Sequence, residues 1–162
     1  MANQPSDRVS VTREIAAPAQ DIFAVLTDPA GHVRIDGSGM LMAAPGASPV
    51  SAVGDVFRMN MDRTALGDIP LGRYETINTV TRIERDALIE WNVAAPGRDP
   101  VGHVYGYELQ PVSDEDTRVT SYCDWSEVPS HLRVRGNVSF PVVPPEMLER
   151  TLVRLQEDVE RR

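Results

Sequence analysis

The run "VPPEMLERTLVRLQEDVERR", Val143 to Arg162, carries the strongest periodic signal in the chain. Leu148, Leu152, Leu155 and Val159 are spaced 4, 3 and 4 residues apart, which sets them in one apolar stripe on a helix, with Met147 and Thr151 beside it. Pro144 and Pro145 suit its start, because a first-turn proline gives up no helical hydrogen bond. Glu146 complements the positive end of the helix dipole, and Arg161 and Arg162 the negative end. The pairs Arg154/Asp158 and Glu157/Arg161 fall at i,i+4 on the outer face. A rod of ~25 Å with one apolar stripe must lay that stripe on something else.

What precedes it is mostly strand. Val9, Val11 and Arg13 share one face of "RVSVTREI", with Ser10, Thr12 and Glu14 opposite and Ile15 shifting the pattern. Pro18 then opens a helix through "PAQDIFAVLTD", with Ile22, Phe23 and Leu26 at helical spacing, and Pro29 ends it. A short second helix, about Ala30 to Ile35, closes at Gly37. "GMLMAA" reads as a weak strand and "PGASPVSAVG" as a loop. Five strand-like runs follow: Asp55 to Asp62, Gly72 to Glu84, Ala87 to Ala94, Gly102 to Pro111, and Thr117 to Glu127. The order is strand, two helices, six strands and one long helix: an α+β chain in which a single helix stripe meets a single sheet face.

Composition sets the outer bounds. A chain of 162 residues with 41% apolar and 25% charged residues suits one soluble domain, Arg8 to Arg162, behind a loose polar tail, Met1 to Asp7. The net charge of −8, with no basic cluster, argues against nucleic acid, whose affinity comes largely from phosphate neutralisation. All 16 basic residues are arginine, which removes lysine Schiff bases, a chain-anchored pyridoxal cofactor and the P-loop lysine. The one cysteine, Cys123, sits in an apolar-alternating run and reads as a small buried hydrophobe. No apolar run approaches the ~18 residues of a membrane span, and "MANQPSDR" is not a signal peptide, so a cytoplasmic location is the default.

The stretches "VTREIAAPAQDIFAVLTDP", "HVRIDGSGML", "GDVFRMNM", "YELQPVSDEDTRVTSYCDW" and "PPEMLERTLVRLQEDVE" resemble the SRPBCC superfamily, also called START-like or Bet v 1-like. Within it they resemble the polyketide cyclase/dehydrase-like group and its uncharacterised bacterial members. The resemblance runs from about Val9 to Glu160. It implies the helix-grip fold: a curved antiparallel sheet of about seven strands around a long C-terminal helix, with two short helices after the first strand. It also implies a cavity between sheet and helix that takes a lipid or an aromatic, polyketide-like metabolite. Fold alone does not choose among superfamily functions.

Strand period then nominates the lining. Ile89, Trp91 and Val93 share a face; so do His103, Tyr105, Tyr107 and Leu109; so do Val119, Ser121, Cys123 and Trp125. With Leu148, Leu152 and Leu155 from the helix, these sets either enclose a ligand cavity or fill a solid core. His103 and Tyr105, with Arg73 polarising a carbonyl, form the candidate catalytic set if the cavity is a cyclase or dehydratase mould; otherwise His103 is a hydrogen-bonded wall residue.

In "GHVRIDGSGM", Gly31 to Met40, no phosphate-loop or nucleophile-elbow pattern surrounds the glycines. His32 and Asp36 form either a pair at the pocket mouth or a turn-forming pair without a ligand role. His131 is expected at the surface. Three scattered histidines and one cysteine give no metal spacing, and no cofactor is expected. Asp62, Asp99 and Asp124 show no pairing, and Asp124 is expected to face solvent. The sequence therefore favours a binder of a hydrophobic small molecule, with a cyclase or dehydratase second and a regulatory or toxin-like interaction protein third. Monomer and homodimer both stay open.

Overall fold

Eight consecutive residue pairs, Arg8 with Asp124 through Ile15 with Thr117, join the first strand to the last without a shift in register. That pairing, together with the hairpins between, produces one antiparallel sheet. The computed structural model describes residues 7–67, 71–135 and 140–160. The expected tail, save Asp7, and the terminal Arg161 and Arg162 lie outside the described residues. The elements are β1 (Arg8–Ile15), α1 (Ala19–Leu26), α2 (Pro29–Ile35), β2 (Leu41–Ala43), β3 (Val56–Asp62), β4 (Arg73–Glu84), β5 (Leu88–Ala94), β6 (Val104–Pro111), β7 (Thr117–Asp124), α3 (Ser130–Arg135) and α4 (Pro145–Glu160). The sheet order is β1-β7-β6-β5-β4-β3-β2.

Helix α4 lies on the inner face of this curved sheet. Leu148, Leu152, Leu155 and Val159 are all buried, as their spacing requires. They meet Ile15 and Val11 from β1, Val119 from β7 and Leu109 from β6, with Ile22, Val25 and Leu26 of α1 closing one end. Ile15 keeps the face of Val9 and Val11 instead of shifting it, because the β1–β7 register is unbroken. Arg13 shares that face too, and its guanidinium reaches Gln156 on α4. In β4 the bulge at Thr81 does change parity: Val80 opposite Trp91 and Ile83 opposite Ile89 both point into the core.

The segment Gly31 to Met40 turns out to be a fastened corner. Asp28 caps α2 by accepting from the Ala30 N–H at 3.0 Å, and Pro29 takes the first helical position. Arg34 forms a bidentate ion pair with Asp158 of α4, at 2.8 and 3.1 Å. Asp158 is thus engaged across the helix pair, while Arg154, its expected partner, donates to the Asp36 carbonyl at 2.8 Å. Asp36 Oδ1 accepts from the Ser38 N–H and hydroxyl, and Oδ2 from the Leu41 N–H. The Gly37 N–H donates to Thr151 Oγ1 at 2.9 Å. A Cβ on Gly37 would stand 2.5 Å from the Thr151 nitrogen, so only glycine lets the corner rest on α4.

On the outer face Tyr122 crosses three strands. Its ring lies over Gly106 of β6, where any Cβ would collide with it. Its hydroxyl donates to Glu90 of β5 at 2.7 Å, and Arg8 of β1 stacks on the ring 3.9 Å from its centre. Glu90 also accepts from Thr81 at 2.7 Å, which satisfies a carboxylate that is otherwise buried. The late loop carries a short helix, α3, that periodicity did not reveal; His131 on it is exposed, as expected. No described helix is long and apolar enough to cross a membrane.

Leu155 is fully buried. Leu155→Ala should therefore lower unfolding free energy by about 2–5 kcal/mol in urea titrations, the range for a truncated core leucine. Glu149→Ala, on the exposed face of the same helix, should stay within about 0.5 kcal/mol of the parent.

Candidate functional site

Sheet and helix do not fill the space between them evenly. Where α1 packs, the gap is solid. Towards the β2–β3–β4 side it opens into a cavity of about 440 Å³. That volume falls in the range of small-molecule sites, ~300–1,000 Å³. Its walls come from Phe57, Met59 and Met61 of β3, Tyr74, Thr76 and Asn78 of β4, Trp91 and Val93 of β5, and Tyr105 and Tyr107 of β6. His32, Asp36, Ser38 and Met40 close it from the corner, Leu148 and Thr151 from α4, and Val101, His103, Leu132 and Phe140 at one end.

The ring geometry is that of an aromatic box. Trp91 stacks with Tyr105, centroids 6.2 Å apart, and meets Phe57 edge-on at 6.0 Å. His32 sits 4.9 Å from Trp91 and 5.6 Å from Phe57. Its Nε2–H donates to the Leu26 carbonyl, which fixes the tautomer, and burial holds its pKa below the ordinary value. Asn78 donates to the Phe57 carbonyl and Thr76 Oγ1, both at 3.2 Å. Burial raises Tyr105 and Tyr107 well above the ordinary phenol range, so both stay protonated hydrogen-bonding groups. Cys123, behind the wall, contacts Tyr105 and is pushed up to about 12 by burial, which leaves its thiol protonated and inert.

The sequence-derived candidates divide three ways. Trp91, Val93, His103, Tyr105, Tyr107, Leu148, His32 and Asp36 line the cavity. Ile89, Leu109, Val119, Leu152 and Leu155 face inward but belong to the solid half, because α1 covers that end of the sheet. Trp125 and Arg73 lie elsewhere. β7 ends at Asp124, whose carboxylate accepts from the Ser126 N–H and hydroxyl; that turn breaks the alternation and sends Trp125 against Phe140. Arg73 is 86% exposed and pairs with Asp62 at 3.8 Å. His103 and Tyr105 are neighbours in the wall, but Arg73 does not join them.

The cavity arginine is Arg63, only 3% exposed, whose Nη2 donates to the Val142 carbonyl at 3.2 Å. It begins a 3-10 turn, Arg63–Leu66, where no period exists to give its direction, so sequence pattern passed over it. The polar inner face of β4 was missed for a related reason: Thr76 and Asn78 look like outward residues beside Ile77. Among the described residues, no group of three or more His, Cys, Asp or Glu side chains could hold a metal ion.

This architecture, a seven-stranded antiparallel sheet gripping a C-terminal helix with two short helices after β1, is a helix-grip fold. Among solved structures, the Zhui aromatase/cyclase of Streptomyces sp. R1128 superposes with a TM-score of 0.61 at 15% identity, over 96% of this chain and 94% of that one. Norcoclaurine synthase of Thalictrum flavum, solved with dopamine and hydroxybenzaldehyde, gives 0.62 at 15% identity, over 95% and 86%. By sequence, the uncharacterised protein Rv0088 of Mycobacterium tuberculosis H37Rv is 29% identical over 157 residues. That match takes in 95% of this chain but 65% of the length of that curated relative. No protein-family model matches the chain.

Burial pushes His103 down to about 4 from an ordinary 6.5. The unfolded chain therefore takes up a proton between pH 6.5 and 4 that the folded chain refuses. Stability from this residue is complete above pH 6.5 and is lost as the pH falls through that window. The loss should reach about 3 kcal/mol. In urea titrations at pH 7 and pH 4, His103→Gln should show an acid loss smaller than the parent by that amount. Equal losses would show that His103 titrates normally.

Proposed function

We propose that the chain binds a hydrophobic small molecule, a lipid or a flat aromatic metabolite, between the sheet and α4. The observation that carries this reading is the cavity of about 440 Å³ with Trp91, Tyr105, Phe57 and the methionines Met59 and Met61 in its wall. Aromatic faces offer large rigid contact area, and thioethers adapt to irregular shapes. Fold-level likeness to an aromatase/cyclase and to norcoclaurine synthase supports the same use of this space, as analogy.

The geometry favours holding over turnover. A histidine at about 4 is a weak base at neutral pH; Arg73, the carbonyl-polarising candidate, is outside the cavity, and Arg63, which lines it, donates to the Val142 carbonyl. The exposed leucines Leu71 and Leu132 also line the cavity, which puts apolar side chains where a guest would enter.

Native mass spectrometry of the purified chain, with extraction of co-purifying compounds and titration of fatty acids, sterols and polycyclic phenols, tests the proposal. At least one class should bind one-to-one and quench the fluorescence of Trp91. Val93→Trp, which places a large ring in the cavity, should weaken that binding about tenfold or more while the protein stays folded. A protein that takes up none of these compounds, or whose uptake ignores Val93→Trp, would overturn it.

A further inference from the structure

His103 stands apart from every other polar group in the cavity wall. The others are engaged within the protein: His32 with the Leu26 carbonyl, Asp36 with the corner, Asn78 with Phe57 and Thr76, Thr151 with Met147 and Gly37. Among the described residues only two buried side-chain polar atoms lack a hydrogen-bond partner, Asn92 Oδ1 and His103 Nδ1. Asn92 alternates with the lining residues Trp91 and Val93 and does not line the cavity; His103 does. The residue is 6% exposed, and its ring is held edge-on between Tyr105, at 5.6 Å, and Phe140, at 5.2 Å. It cannot swing out to find water without giving up both contacts.

We propose that His103 selects the ligand: its Nδ1 pairs with a hydroxyl group of the guest, so the molecule held here is a ring-bearing apolar compound with a hydroxyl at the Phe140 end of the cavity. This rests on the cavity being a ligand site. A buried polar atom without a partner is costly, and a guest that supplies the partner recovers that cost. Burial keeps the imidazole neutral, so it offers no charge to a carboxylate. A neutral ring nitrogen is either donor or acceptor according to tautomer, and a hydroxyl answers both. The stacked Trp91–Tyr105 pair beside it supplies faces for rings.

Two probes of matched size separate the ideas: 2-naphthol and 2-methylnaphthalene, titrated calorimetrically into the parent and into His103→Leu. The preference for 2-naphthol over 2-methylnaphthalene should fall about five- to tenfold in the variant, the loss coming from the naphthol alone. In parallel, nitrogen-15 spectra of the histidine rings are recorded on the parent protein. The His103 Nδ1 signal should move on adding 2-naphthol and stay in place with 2-methylnaphthalene, a readout that holds even if the variant does not fold. Binding of both probes with an unmoved Nδ1 signal would overturn the role of His103 and leave the cavity reading standing. Binding of neither would instead overturn the cavity reading on which it rests.

Discussion

The structure depends on how one helix is held against one sheet. The stripe from Leu148 to Val159 supplies adhesion, but adhesion alone would draw the layers together along their whole length. Polar contacts set where the corner meets the helix. Arg34 grips Asp158, Arg154 grips the Asp36 carbonyl, and the Gly37 N–H rests on Thr151. These bonds are directional where burial is not, so they hold the corner, with its buried His32 and Asp36, in a fixed place on α4. The result is an interior with two characters: close packing where α1 contributes Ile22, Val25 and Leu26, and an aromatic box beyond the reach of α1.

That division explains which parts were legible in the sequence. The α4 stripe was plain, because a 3.6-residue period over sixteen residues is hard to produce otherwise. The alternation His103, Tyr105, Tyr107, Leu109 is plain too, and these four side chains lie on the inner side of the sheet. What strand period could not give is depth. Leu109 and Tyr105 share a face, yet one is core and the other cavity wall, and the difference lies in whether α1 stands above it. That is a contact between segments some eighty residues apart, which no local pattern encodes.

The remaining departures each have a local cause. Ile15 looked out of phase because Arg13 interrupts an apolar row, although the ladder itself is regular. Trp125 lost its phase at the Asp124–Ser126 turn. Arg73 and Arg63 exchanged places as the arginine near the site: one follows strand period into solvent, and the other is turned inward by the tight coil after β3. Asp36 shows the reverse. Its role as the keystone of a glycine-rich reversal was one of two readings open in the sequence, and the backbone N–H groups of Ser38 and Leu41 give it that role while it also faces the cavity.

The tyrosine brace on the outer face has a consequence for the inner one. Tyr122 spans from β7 over β6 to β5, with Arg8 of β1 clamped upon it. Trp91 and Tyr105, which form the wall of the box, are borne by the same two strands, β5 and β6, that it bridges. The bend of this part of the sheet is therefore tied from behind, as a strut across the back of a bowl stiffens its bowl. The width available to anything inside is governed partly by a ring, a guanidinium and a carboxylate that no guest ever touches.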